Sequence, residues 1–348
     1  MKIAVYAISK NEELHVKRFC ESAKDADLIV IADTGSTDKT VEIAKECGVQ
    51  IHQINVTPFR FDVARNAALA LVPADVDICV SMDLDEMLLP GWREEIEQCW
   101  SEDITRLNIG FDFGENRVFY PSRAHNRHGY HWKYPCHEYI MPDSRVKDTC
   151  GHTSFVMMTH KPDDTKSRGL YLELLQMAVK EDPNCHRSCY YYGRELTFKF
   201  RWQEAIDELK RYLTLPTATW PLERSHTMRM IGASLEKIQQ PGISWFRKAV
   251  AEEPGIRENW FDLAMLCYEK QRWAECYGAG KNAIEITQNI AQHTGAPQAW
   301  GFMLPDVIAI AAYHLKFKEE AIKYGRMALE MNSTDGRLKT NLKFYEEL

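Results

Sequence analysis

The sequence predicts an α/β domain with a mostly parallel sheet over residues 1–165, followed by an all-α domain of helical repeats over residues 166–348. Three observations lead there. Short apolar runs alternate with amphipathic segments up to about residue 113. Strand-like runs are gone after about residue 165, and helical periodicity continues from there. Within that second half, small and aromatic residues recur at an interval of 34.

Lys2 to Ile8 reads as the first strand and ends in Ser9-Lys10-Asn11-Glu12. An amphipathic helix carrying Leu14, Phe19 and Ala23 follows. Leu28 to Ala32 is continuously apolar, as a strand buried on both faces must be. It ends in Asp33-Thr34-Gly35-Ser36-Thr37-Asp38. Ser36 or Thr37 is placed to cap the next helix, in which Ile43, Ala44 and Cys47 share a face, and Gly48 is placed to end it. Val49 to Ile54 is a third strand, Phe61 to Leu71 a helix, and Val76 to Met82 a fourth strand. Such alternation predicts parallel strands with helices on both faces. It also gathers the polar strand ends along one edge, where open α/β sheets bind ligands. After the fourth strand come Asp83, Asp85 and Glu86. Two aspartates one residue apart suit a hard divalent cation such as Mg²⁺ or Mn²⁺. Glu86 is expected to orient its neighbours or cap a following helix. Thr105 to Phe113 alternates, with Leu107, Ile109, Phe111 and Phe113 on the apolar face.

The bulk numbers exclude several classes. A net charge of −7 leaves no global nucleic-acid or membrane footprint. No apolar run reaches membrane-spanning length, and Met1-Lys2-Ile3-Ala4-Val5 lacks a signal-peptide core. Ten cysteines scattered through apolar patterns read as reduced thiols, so a cytoplasmic location is expected. Neither G-x-G-x-x-G nor a P-loop occurs.

Four motifs follow in order: Ser9-Lys10-Asn11-Glu12-Glu13, Ile31 to Asp38, Val63-Ala64-Arg65-Asn66, and Met82-Asp83-Leu84-Asp85-Glu86. Together they resemble the nucleotide-binding half of family-two glycosyltransferases with the Rossmann-like GT-A fold. The resemblance covers about the first 90 residues. It implies that Asn11 or Glu12 and Asp33 contact the base or ribose, and that Arg65 and Asn66 sit beside the nucleotide with Arg65 near a phosphate. Asp83 would face ribose or metal. Asp85 would ligate the Mn²⁺ or Mg²⁺ that bridges the diphosphate of a nucleotide-diphosphate sugar, a UDP-sugar first among them.

Arg117, Arg123, Arg127, Lys133, Arg145 and Lys147, with His125, His128, His131 and His137, make residues 117–147 locally basic. An anionic ligand is expected nearby, either the donor diphosphate or an anionic acceptor. Trp132 to Ile140 resembles a second signature, on the acceptor side of some family-two transferases. It makes Glu138 the candidate general base of an inverting transfer. Asp112 is a second catalytic candidate, pointing toward the acceptor. By the same resemblance His160 would complete the metal shell, with His137 as the alternative ligand.

Gly242, Phe246, Ala249 and Pro254 match the second-helix pattern of a tetratricopeptide repeat, and Cys276, Gly280 and Ala283 repeat it 34 residues later. Ala205 and Leu209 upstream, and Ala321, Gly325 and Ala328 downstream, extend the series to four degenerate repeats. Gln292 to Trp300 forms an insertion, and Ser333 to Leu348 a capping helix. The repeats are expected to bind a protein partner or to self-associate. The sequence thus points to a metal-dependent inverting glycosyltransferase acting on a glycan, protein or modified nucleobase. The alternative is a catalytically silent scaffold of the same two domains.

Overall fold

The computed structural model describes residues 1–114, 118–161, 169–290 and 294–348. The chain forms two compact units, Met1–Glu181 and Asp182–Leu348. The expected boundary at 165/166 falls outside the described residues, as do Arg117 and Gln292. The first unit runs on through a helix, Tyr171–Glu181, to its end.

Strands β1 (Ile3–Ser9), β2 (Leu28–Asp33), β3 (Gln50–Gln53) and β4 (Ile78–Met82) alternate with α1 (Val16–Ser22), α2 (Thr40–Glu46) and α3 (Phe61–Leu71). They are followed by β5 (Glu86–Leu88), α4 (Trp92–Cys99), β6 (Arg106–Asp112), β7 (Val118–Phe119), β8 (Ser122–Asn126), β9 (Tyr130–Lys133), β10 (Tyr139–Pro142), β11 (Cys150–His160) and α5 (Tyr171–Glu181). The main sheet has the order β3-β2-β1-β4-β8-β6-β11-β5, with β7 on β6. The half formed by β3, β2, β1 and β4 is parallel, because helical crossovers return each strand to the same end. Beyond β4 the sheet is mixed: β8 runs antiparallel to both β4 and β6, and β5 antiparallel to β11, while β6 and β11 are parallel. Strands β9 and β10 form a separate hairpin.

Alternation along β1 divides the core. Ile3, Val5 and Ala7 face a cluster with Val16, Phe19, Trp92 and Ile96. Ala4 and Tyr6 face Ala68, Leu69 and Trp132 on the other side. Leu14, expected on the apolar face of the first helix, precedes α1 and is exposed. All ten cysteines are free thiols. Among the described residues no helix is long and apolar enough to cross a membrane.

Asp27 pins the start of β1. Its Oδ2 accepts from the Ile3 N–H at 2.8 Å and from Arg93 Nη2 at 2.9 Å. The Ile3 N–H first, and Arg93 after it, hold the carboxyl below its usual range. Its contribution to stability is therefore present above the unfolded value of about 3.9 and is lost as pH falls through the folded value. Asp27 is partly exposed, so Asp27→Asn is expected to lower stability at pH 7 by no more than about 1 kcal/mol. Urea unfolding of the two proteins should converge as pH falls below the folded value of Asp27.

The second unit pairs α6 (His186–Phe198) with α7 (Trp202–Thr214), α8 (Pro221–Lys237) with α9 (Ile243–Glu252), α10 (Arg257–Glu269) with α11 (Trp273–Glu285), and α12 (Met303–His314) with α13 (Lys318–Met331). Helix α14 (Gly336–Glu347) closes the series. The expected small residues lie on the second helices. A Cβ on Gly280 would meet Ile308 at 2.5 Å, so the close approach of α11 to α12 requires glycine there.

Each pair turns through the same device. Phe200, Gln239, Gln271 and Lys316 are left-handed, with φ of 58°, 60°, 54° and 64°. Each donates its N–H three residues back, and the next residue donates five back, as Gln271 N to Tyr268 O and Arg272 N to Cys267 O do. These are Schellman turns without the glycine that usually occupies the left-handed position. That conformation costs a side-chain-bearing residue roughly 1–2 kcal/mol, part of which glycine gives back in unfolded-state entropy. Gln271 is exposed. Gln271→Gly should therefore raise stability by up to about 1 kcal/mol, read as a higher urea midpoint with unchanged m.

Candidate active site

The ends of β1, β2 and β4 lie side by side, with Ser9 level with Asp33 and Ala7 with Met82. The loops that leave them are laced together. Asn11, left-handed at φ 56°, donates its N–H to Ser36 Oγ at 2.8 Å and accepts from Thr37 N through Oδ1 at 2.8 Å. Glu12 N donates to Thr40 Oγ1 at 2.6 Å. Asp33 is fully buried. Its Oδ1 accepts from Ser9 Oγ and Ser36 Oγ, and its Oδ2 from Gly35 N and Ser36 N. Four donors fill the acceptor sites of a carboxylate. Asp33 thus shapes the loop at the end of β2.

Arg65 departs furthest from expectation. From α3 it reaches under the end of β4, 5 % exposed. Its Nε donates to Glu138 Oε1 at 2.6 Å and its Nη2 to Asp83 Oδ1 at 2.6 Å, while the guanidinium carbon lies 5.0 Å from the centre of the Trp132 ring. Burial opposes its charge, but Asp83 and Glu138 outweigh burial and hold its pKa above the ordinary value. Burial likewise opposes the charge of Asp83, yet Arg65 and Arg123 hold that carboxyl below its usual range. A guanidinium committed to two carboxylates is not presented to a phosphate. Asn66 is committed too: its amide donates to Trp132 O and accepts from Trp132 N, each at 2.8 Å, tying α3 to β9.

Asp85 and His160 meet. The pairing of β5 with β11 sets His160 level with Glu86, and His160 Nε2 lies 3.1 Å from Asp85 Oδ2. The hydrogen bond to Asp85 raises the His160 pKa. Glu86 begins β5 instead of capping a helix. Its Oε2 accepts from Asp83 N at 2.8 Å and its Oε1 from Arg123 Nη2 at 2.6 Å, and burial pushes its carboxyl up to about 7. Asp112 closes the turn after β6 by accepting from Gly114 N at 2.7 Å. His137, left-handed at φ 52°, stacks on Tyr171 at 5.9 Å. Among the described residues no group of three or more His, Cys, Asp or Glu is arranged to hold a metal. The pair does fit one. Neighbouring ligands of an octahedral ion with bonds of about 2.1 Å stand about 3 Å apart, and such ions keep water and phosphate oxygens as their other ligands.

The expected basic field is mostly spent within the protein. Arg123 pairs with Glu86, Arg127 donates to Val72 O, His128 bonds Ala74 O, and His131 pairs with Asp143. His125 is buried between Tyr6 and Asn126 O, and burial lowers its pKa to about 4, so it is neutral. Phe113, expected in the core, is 38 % exposed, 5.6 Å from the His160 ring and 5.2 Å from Phe119.

Residues 5–165 match the family described as Glycosyl transferase family 2. These residues are a family 2 glycosyl transferase domain. The chain is 33% identical over 97 residues to an uncharacterized glycosyltransferase of Rickettsia bellii, covering 28% of this chain and 32% of the relative. A TPR repeat-containing protein of Synechococcus elongatus is 28% identical over 144 residues, covering 40% of this chain and 35% of its own. The chain thus spans about a third of the length of the curated relatives it matches. Among solved structures, MamA covers 47% of this chain and 86% of its own at 18% identity, with a TM-score of 0.38. The family 2 domain is followed by tetratricopeptide-like helical repeats.

Sequence reasoning missed three residues of the site. Trp132 stacks on Arg65 and donates to Tyr6 Oη at 2.7 Å. Ser81 lies 3.4 Å from Arg65 Nη1. Arg123 was read as part of a field and not as the partner of Glu86. Arg65 and Glu138 are 73 positions apart and Glu86 and Arg123 are 37 apart, so no local pattern joins either pair.

Proposed function

We propose that the chain is a glycosyltransferase that moves a sugar from a nucleotide-diphosphate sugar, UDP-sugars first, to an acceptor hydroxyl with inversion, aided by Mn²⁺ or Mg²⁺. The observation that carries this reading is the convergence of Asp85 Oδ2 and His160 Nε2 at 3.1 Å, at the sheet edge that also holds Asp83 and Glu138. Asp85 and His160 would hold the ion, with donor oxygens and water as the remaining ligands. When bound, the ion neutralises charge on the departing diphosphate. Asn11, Glu12 and the loop shaped by Asp33 would line the nucleoside. Arg65 spreads the two donors of one edge of its guanidinium over Asp83 and Glu138, a fork that ordinarily takes one carboxylate. The donor-side and acceptor-side carboxylates are thereby held as one unit.

Glu138 would take the acceptor proton on the oxygen not given to Arg65. The acceptor oxygen then attacks the anomeric carbon opposite the leaving diphosphate. A bond forms to the acceptor as the bond to the diphosphate breaks, and the configuration inverts. Exposed Phe113 beside His160, together with the paired state of most nearby basic side chains, supports an uncharged ring-bearing acceptor such as a sugar over an anionic one.

The test is release of nucleoside diphosphate from a panel of nucleotide sugars, with Mn²⁺ or with chelator, beside a thermal-shift screen of the same ligands. Metal-dependent diphosphate release supports the proposal. Transfer of a monophosphate would make the enzyme a nucleotidyltransferase. Neither turnover nor a thermal shift with any nucleotide would leave the scaffold reading.

A further inference from the structure

The connections between consecutive helix pairs are short at residues 215–220 and 253–256, but the third runs from 286 to 302. The first helices of the pairs, α6, α8, α10 and α12, touch along one row. Thr294 and Trp300 of the long connection lie against that row, held there by charged side chains that the helices bury.

Arg229 of α8 is 4 % exposed. It donates through Nη1 to Asp262 Oδ2 on α10 at 2.8 Å and through Nη2 to Thr294 O at 2.7 Å. Its buried Nε has no partner among the described residues. Glu258 of α10 is 1 % exposed and accepts from Trp300 Nε1 at 2.9 Å. Arg257 lies 3.9 Å over the Trp300 ring, and donates to Ile286 O at 2.8 Å and to Ile284 O at 3.3 Å. Thr294 and Ala299 are themselves buried.

Helix packing alone needs none of these charges. A buried guanidinium or carboxylate is strongly unfavourable unless it is paired. The helices supply Arg229 with one carboxylate, and the connection supplies a backbone carbonyl to its Nη2. Among the described residues, the donor to the Glu258 carboxylate is the Trp300 indole of the connection. The row is therefore built around a guest that offers a backbone carbonyl and an indole N–H.

We infer that Thr294–Phe302 is a resident peptide ligand held in cis on α8 and α10, and that this groove accepts a peptide of the same chemistry in trans when the resident is removed. A tethered segment acts at an effective concentration on the order of millimolar. A free peptide of micromolar affinity would thus be excluded from the full-length chain.

The probe is a fluorescein-labelled synthetic peptide with the sequence of residues 294–302, followed by polarisation. The full chain should show no saturable binding. A chain whose residues 288–300 are replaced by Gly-Ser-Gly-Ser should bind at least roughly 100-fold more tightly, and Arg229→Ala on that shortened background should abolish binding. Failure of the shortened chain to bind while its helical circular dichroism is native overturns the proposal, and so does equal binding by the full chain. Should the shortened chain not fold, Arg229→Met in the full chain provides the second readout. Limited proteolysis within 286–302 should speed up at least tenfold while the flanking helices stay protected, and an unchanged rate overturns the proposal.

Discussion

Asp85→Ala is expected to abolish metal-dependent release of nucleoside diphosphate, with kcat falling by about 10²–10³, the usual loss when one group that stabilises developing charge is removed. The geometry says why the effect should be confined to chemistry. Asp85 is 24 % exposed, and its carboxylate touches His160 at 3.1 Å, outside the packed core. Its backbone carbonyl, which accepts from Lys161 N at 2.9 Å, survives the substitution. The folded state should lose little, so the thermal midpoint without ligand should hold while the Mn²⁺-dependent shift with a nucleoside diphosphate disappears. His160→Ala should act in the same direction. Because both side chains would serve one ion, the double variant should be no worse than about the poorer single. A full additional loss in the double variant would mean that the two side chains act separately, and would remove the basis for placing one ion between them.

How much of this was legible in the sequence follows from the range of the interactions. The parallel strands were, because burial on both faces writes continuous apolar runs such as Leu28 to Ala32, and the pattern needs no partner to be read. The helix pairs were, because small residues such as Gly242 and Gly280 mark the close approaches, with one step of 34 residues and longer steps of 37 and 45 on either side. The mixed half of the sheet was not. Strand β8 inserts between β4 and β6 through pairings such as Cys79 with His125 and Leu107 with Ala124, and nothing in Ser122 to Asn126 states which neighbours it will take. The turns of the repeats hid for another reason: Phe200, Gln239, Gln271 and Lys316 adopt a conformation that sequence reading assigns to glycine. In the site, the resemblance points to Asp85 and His160 as metal ligands, and the structure brings the two side chains to 3.1 Å. The resemblance places Arg65, Asn66 and Asp33 beside the nucleotide. Each of these side chains also bonds to protein groups, through partners too distant in the chain for a local pattern to show.

Arg65→Met is expected to destabilise the protein by about 3 kcal/mol, the lower end for breaking a buried ion pair, since Asp83 keeps access to water while Glu138 is 10 % exposed. Methionine fills much of the volume and can still lie against Trp132, so the loss reports charge and hydrogen bonds more than packing. A buried carboxylate, Glu138, and a partly exposed one, Asp83, are then left with no guanidinium between them. If that is the source of the instability, neutralising one carboxylate should relieve it: Arg65→Met with Glu138→Gln should be more stable than Arg65→Met alone, even though it carries one more substitution. Arg65→Lys should fall between, because an ammonium restores the charge but not the two adjacent donors that reach Glu138 and Asp83 together. The contrary role, a direct contact to a donor phosphate, predicts a different pattern. Arg65→Met would then weaken donor binding with little change in the urea midpoint, and Glu138→Gln would recover no stability. Urea unfolding and donor titration of the four proteins decide between the two, and the first is the expected result.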